Sequence, residues 1–293
     1  MEKVFEFAGG SISGRRHRRV WRNNQDAYCV LTRPDLSVAV VTDGCGDITS
    51  LHSEVGAKLG ARLIGATILN YGQRVLLQEP TGTSLFKEPF FWERVRKDVL
   101  AQLRVLALNL GENLTAVVID YLLFSVIGGL ITPTDSIFFT IGDGFIFVNG
   151  ELIQIGPFPG NEPPYLGYAL LNQSQIGGNP DWLEFQLQRM VPTPDLESFL
   201  IGSDGVIDLI RMANENVPGK GEKVGSISQF WEDDGYFVNP FKIGRRLAVI
   251  NREGHQIDWQ KKKATTYQGL LDDDTTLIVG RRRRMEKENN NAE

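Results

Sequence analysis

Asp26-Ala27-Tyr28-Cys29-Val30-Leu31-Thr32-Arg33-Pro34-Asp35-Leu36-Ser37-Val38-Ala39-Val40-Val41-Thr42-Asp43-Gly44 reads as two β-rich runs folded about a turn. Residues 27–31 and 37–41 are dense in β-branched and apolar side chains, and Arg33-Pro34-Asp35 supplies the reversal. The hairpin is bracketed by acids, with Asn24-Gln25-Asp26 where it enters and Asp43-Gly44 where it leaves. Two further aspartate steps flank short apolar runs: Gly202-Ser203-Asp204-Gly205 and Leu271-Asp272-Asp273-Asp274-Thr275-Thr276. A carboxylate at a strand end cannot be buried alone without a cost of several kcal/mol or protonation. Carboxylates converging on one sheet edge repel one another unless a cation lies between them. An oxygen-only donor set suits Mg²⁺ or Mn²⁺ rather than zinc, so the pattern implies a hydrolytic metal centre.

The composition excludes several alternatives. The 293 residues, 42% of them hydrophobic, suffice for one large domain or two small ones. A formal charge of -5 argues against general nucleic-acid binding. Two cysteines, Cys29 and Cys45, make neither a disulfide framework nor a structural zinc site. The first residues lack the basic and apolar regions of a signal peptide, and no apolar run reaches a membrane-spanning length. A soluble cytoplasmic chain is the expectation, with no nucleic-acid or membrane partner.

Helical spacing predicts helices over residues 53–69, 91–109 and 240–251, and another beginning near Gly205. Residues 115–119, 122–128, 136–141 and 145–148 read as strands, and Asn149-Gly150 returns the chain into 151–155. Residues 156–194 read as irregular, residues 213–239 as a loop-rich insertion, and residues 276–280 as a last strand. Hairpin succession with inserted helices predicts an α+β fold of antiparallel sheets.

Asn24-Gln25-Asp26, Asp43-Gly44, Gly142-Asp143-Gly144, Ser203-Asp204-Gly205 and Asp273-Asp274, in that order, resemble the motifs of the metal-dependent type 2C Ser/Thr protein phosphatases. The resemblance spans about residues 8–280. Ser13, His17 and Gln25-Asp26-Ala27 match the bacterial subgroup. It implies a four-layer α-β-β-α sandwich with two central, mainly antiparallel sheets flanked by helices. It further implies one catalytic domain over 1–280, with a flap-like segment at 156–194, while the arginine run and Asn-rich end at 281–293 read as a disordered basic-then-polar tail.

The implied cofactors are two Mg²⁺ or Mn²⁺ ions. Asp43 would bridge them, the Gly44 carbonyl and Asp26 would serve one, and Asp204 and Asp273 would complete the other. Asp143 and Asp208 match positions that bind a weaker third ion. The implied reaction is hydrolysis of phosphoserine or phosphothreonine in a protein by a hydroxide bridging the metals, without a phosphoenzyme, in a monomer.

The chain departs from the family pattern at several positions. Many relatives carry a phosphate-gripping Arg five residues before the first Asp, where this chain has Trp21. Arg19, Arg22 and His17 are the remaining candidates for substrate phosphate. Cys45 stands where some members have a general-acid His, and Asp272 or Asp274 could replace Asp273 as ligand. Plainer readings exist for each residue. Asp43 and Asp204 could cap turns or helices, Asp143 could mark a turn, and Asp208 could sit on a solvated helix face. Residues 15–22 could form a charged edge strand. A pseudophosphatase is the rival function, opposed by retention of all four aspartates. A phosphodiesterase is opposed by the scarcity of His.

Overall fold

A computed structural model describes residues 1, 3–47, 49–78, 85–172 and 180–284. Two five-stranded antiparallel sheets lie face to face. The first has the order β2 (Asp26–Arg33), β3 (Leu36–Gly44), β4 (Phe124–Ile131), β5 (Asp135–Ile141), β8 (Gln186–Pro192). The second runs β1 (Phe5–Ile12), β12 (Thr275–Arg282), β9 (Ser198–Gly202), β6 (Gly144–Val148), β7 (Glu151–Ile155). The long helices α2 (Ser53–Gln78) and α3 (Pro89–Leu110) cover the first sheet. The shorter α5 (Val206–Arg211), α6 (Gln229–Glu232), α7 (Gly235–Val238) and α8 (Lys242–Ile250) cover the second. The four-layer α-β-β-α arrangement expected from the sequence is present.

Strand β3 shows how the layers position the acids. Val38 and Val40 pack toward α2, whereas Ala39 and Val41 pack between the sheets, because successive side chains alternate faces. Thr42 continues the helix-facing series, donating from Oγ1 to the Ala57 carbonyl at 2.8 Å. Asp43 therefore continues the inter-sheet series, at the end where the apolar core of Val41, Ile127, Ile201 and Ile278 stops.

Several expectations change. Residues 115–119 are not a strand but part of α4 (Leu114–Tyr121), whose first turn is capped by Asn113 Oδ1 accepting from Ala116 N at 3.1 Å. A short β-branched apolar run fits either state, and the cap decides. Residues 15–22 do not form an edge strand; Arg15–Arg19 is a helix, α1. Residues 156–194 are not irregular throughout, since they end in β8, the edge strand beside β5. Residues 173–179 of that segment lie outside the described residues. β1 went unread because Gly9-Gly10 interrupt its pattern.

The tail does not begin at residue 281. Arg281 lies in β12 and is buried, pairing with Glu6 and Asp234 at 2.7 Å and stacking 4.1 Å over the Phe237 ring. Arg282 also belongs to β12. Residues 285–293 lie outside the described residues.

Candidate metal centre

The carboxylates come from both sheets. Asp26 and Asp43 are cross-strand partners in the β2–β3 register, and Asp43 faces Ser125 on β4. Asp204 follows β9, and Asp273 precedes β12, the strand paired with β9. Ser203 ties the two sheets together. Its Oγ donates to Asp26 Oδ2 at 2.7 Å and accepts from Thr276 N at 3.0 Å. The Gly142-Asp143-Gly144 turn brings in the fifth carboxylate. Gly142 has φ 90°, and a Cβ there would lie 2.6 Å from Ser125 Cβ, so a side chain is excluded on both counts.

Asp43, Asp143, Asp204 and Asp273 line a cavity of about 600 Å³. Asp26 is buried and is not part of that lining. Burial, followed by the charges of Asp26, Asp204, Asp273 and Asp143, drives the Asp43 carboxyl well above its usual range. Burial and then the Asp274 charge do the same to Asp26, against the Ser203 and Thr276 hydroxyls that favour its anion. Asp204 is pushed up to about 7 by burial and by Asp273 and Asp143. Without a counter-charge this site must take up protons. Asp26 Oδ1 is buried and has no hydrogen-bond partner among the described residues. An unpartnered anionic oxygen behind clustered carboxylates fits a hard divalent cation.

Asp274 has a different task. Its Oδ1 accepts from Gly14 N and its Oδ2 from Gln25 N, both at 2.6 Å, and His17 Nδ1 lies 2.9 Å from Oδ2. It staples α1 to the entry of β2. The Asp274 carboxylate beside Nδ1 is the main cause raising the His17 pKa, against desolvation. Candidate ligand atoms of His17, Asp273 and Asp274 all lie within 4.8 Å of one another. Both Asp274 oxygens accept backbone N–H groups, whereas Asp273 accepts one, Asp274 N on its Oδ1 at 2.9 Å, so Asp273 is the better placed of the two to meet a cation.

The other expected residues separate. His17 and Arg22 line the cavity, and Arg22 Nη1 donates to the Gly46 carbonyl at 2.6 Å. Arg19 does not line it; its Nη2 donates to Gln268 Oε1 at 2.9 Å on an exposed surface. Asp208 also stands off the cavity, its Oδ2 accepting from Asp272 N at 2.7 Å to brace the 272–274 loop. Trp21, with φ 57° and 96% exposed, contributes nothing to the cavity wall.

Arg16, Tyr165, Tyr168 and Ser125 were missed, and all four line the cavity. Reading residues 15–19 with helical period would have grouped Arg16 with Val20, four positions on, and both line the cavity.

The sequence matches the protein phosphatase 2C family model over residues 13–231. The chain belongs to that family. It is a protein serine/threonine phosphatase, and the family is metal-dependent. The phosphatase resembles a bacterial serine phosphatase structure at 15% identity and a TM-score of 0.53, over 96% of this chain and 99% of that one. It also resembles the serine-threonine phosphatase 2C of Toxoplasma gondii, at 13% identity and a TM-score of 0.51, over 96% and 95% of the two chains. Identities this low support the fold alone. No curated protein matches the sequence. Among the described residues, no helix is long and apolar enough to cross a membrane.

Proposed function

We propose that the phosphatase hydrolyses phosphoserine and phosphothreonine esters of proteins with two divalent cations, Mg²⁺ or Mn²⁺, and a third site at Asp143. Asp26, Asp43, the Gly44 carbonyl, Asp204 and Asp273 would hold the pair. Asp208 is proposed only to brace the Asp272–Asp274 loop. The observation that carries this reading is the convergence of Asp43, Asp143, Asp204 and Asp273 on one open cavity, with the orphaned oxygen of Asp26 buried behind them and the proton affinities of Asp26, Asp43, Asp143 and Asp204 raised. Bound cations there would supply Lewis-acid neutralisation of phosphate oxygens and a lowered pKa for coordinated water.

The chain's own residues do the rest. Arg22 is held at the cavity wall by the carbonyls of Gly46 and Asp47, and so presents a positioned guanidinium to phosphate oxygens. Arg16, its side chain 71% exposed, extends that cationic wall. His17 is fixed through Nδ1 by Asp274, leaving Nε2 for a phosphate oxygen or the departing seryl oxygen. Tyr165 and Tyr168 add aromatic surface to the cavity wall and would limit water around the ester.

Release of inorganic phosphate from a phosphoserine peptide tests the reading. Turnover in Mn²⁺ should vanish in excess EDTA and return on re-addition of the metal; turnover that persists in chelator refutes it. Arg22→Ala should raise KM for the peptide by about tenfold, a charged hydrogen bond being worth roughly 1.5–3 kcal/mol when partly screened at its lower end. Arg19→Ala should leave KM within about twofold. The reverse order would move the phosphate clamp to the outer face of α1.

A further inference from the structure

One described element stands outside the four layers. β10 (Gly254–Asp258) and β11 (Lys263–Tyr267) pair only with each other, and most of their residues are exposed. A two-stranded ribbon is marginal in water by itself, so this one depends on its base. There Tyr267 packs closely against Gly219 and Gly254, and its hydroxyl accepts from Arg252 Nη2 at 3.1 Å. The tip is also ordered, because Asp258 Oδ1 accepts from Gln260 N at 3.1 Å and from Lys261 N at 3.0 Å.

The tip's composition is unusual for this acidic chain. Trp259 is 81% exposed beside Lys261, Lys262 and Lys263. Lys261 lies 3.4 Å from Asp258, whereas Lys262 and Lys263 form no ion pair among the described residues. An exposed Trp on an ordered cationic tip does nothing for the core, and aromatic anchors rimmed by charge are the common form of a recognition surface.

The base of the ribbon adjoins the cavity wall. Gln268, the residue after β11, accepts from both Arg15 Nη1 and Arg19 Nη2 at 2.9 Å. Arg18 donates to the Asn251 carbonyl at 2.6 Å and lies 3.6 Å from Glu253, at the ribbon's other root. The same helix carries Arg16 and His17 on the cavity wall. Cationic side chains thus lead from Arg22 and Arg16 across α1 to the ribbon, with Asp272 pairing Arg15 and Arg16 on the way. The cavity's other charged groups outside the aspartate cluster, Asp47 and Glu162, are negative.

We propose that the β10–β11 ribbon and the outer face of α1 dock an acidic segment of the phosphoprotein substrate, with Trp259 as its aromatic anchor. This rests on the phosphatase reading of the cavity. The continuity of the basic surface with the cavity favours a substrate segment, and the net negative charge of the chain disfavours a large polyanion. A five-residue strand is roughly 17 Å long, so an extended peptide would place its acidic residues on the order of five to ten positions from the phosphoserine.

The test compares a phosphoserine peptide bearing four Asp or Glu residues at that distance with the same peptide bearing Gly and Ser there. p-Nitrophenyl phosphate serves as the substrate too small to reach the ribbon. The acidic peptide should show a KM lower by about tenfold at low salt, a preference that fades in 0.5 M NaCl, roughly the strength at which surface charges are screened. Lys262→Glu combined with Lys263→Glu should abolish the preference, leaving kcat and p-nitrophenyl phosphate hydrolysis unchanged. Lys262→Gln with Lys263→Gln is the milder pair if charge reversal impairs folding, and Trp259→Ala should raise KM for the acidic peptide by about threefold.

Equal KM values for the two peptides, with normal p-nitrophenyl phosphate turnover, would overturn the docking surface alone. So would an acidic preference that survives both lysine pairs. Ribbon-dependent binding to anionic vesicles or an oligonucleotide, with peptide kinetics unchanged, would overturn it in favour of that partner. Failure to hydrolyse any of the three substrates would overturn the phosphatase reading first.

Discussion

Asp43→Ala reduces metal-dependent turnover of a phosphoserine peptide by at least about 1000-fold, the scale expected when the central ligand of a charge-stabilising site is lost. Asp43 is singled out because its carboxyl feels all four neighbouring charges: Asp26 across the hairpin, Asp204 and Asp273 from the second sheet, and Asp143 from the β5–β6 turn. The same substitution leaves the fold intact. In EDTA, removing a desolvated carboxylate from a repelling cluster raises the melting temperature or leaves it unchanged. Activity and metal-free stability should therefore move in opposite directions. A variant that loses both would make Asp43 a structural residue, and one that keeps more than a tenth of its activity would remove it from the reaction.

In chelator the wild-type enzyme melts at progressively lower temperature as pH rises from 5 to 8. Asp204 titrates near 7 in the folded chain against an ordinary 3.8, and Asp26 and Asp43 are raised as well. Between those limits the native state binds more protons than the unfolded chain, so stability falls as pH rises. The contribution of these groups is complete below their unfolded values and is lost as pH passes through the folded ones. For Asp204 alone the span corresponds to a few kcal/mol, at about 1.4 kcal/mol per unit. Mn²⁺ replaces the protons. At a hundredfold excess over its dissociation constant it adds about 2.7 kcal/mol, or roughly 5–10 °C in Tm for a chain of this size. The Mn²⁺-induced shift should therefore be larger at pH 8 than at pH 5. A melting temperature that is flat with pH in EDTA would show that the carboxylates do not share a desolvated site.

The parts of the fold legible beforehand are those with strong local periodicity. The β2–β3 hairpin, the Asn149-Gly150 return and the two long helices each carry a pattern that one register satisfies. Residues 114–121 misled because β-branched apolar residues suit a buried strand, and only the Asn113 cap and the packing of Val117 and Val118 select a helix. β8 and the β10–β11 ribbon escaped because edge and exposed strands lack an apolar alternation to announce them.

The sequence by itself determined that four aspartate steps terminate or flank apolar runs in a family order, because strand length and turn chemistry are local. Alternation along a strand also places Asp43 on the same face of β3 as Ala39 and Val41, but only the packing of the two sheets made that the inter-sheet face. Only the tertiary structure decided which charges meet. Asp274 became a staple and Asp208 a loop brace because backbone N–H groups arrive at their oxygens from residues 64 to 260 positions away. Arg16 came to the cavity while Arg19 went to the ribbon because one short helix divides its side chains between two surfaces, and Arg22, beyond that helix, is brought to the cavity by the Gly46 and Asp47 carbonyls. Carboxylate strength followed from the same cause: desolvation and mutual repulsion depend on distances that appear only when the two sheets close on each other.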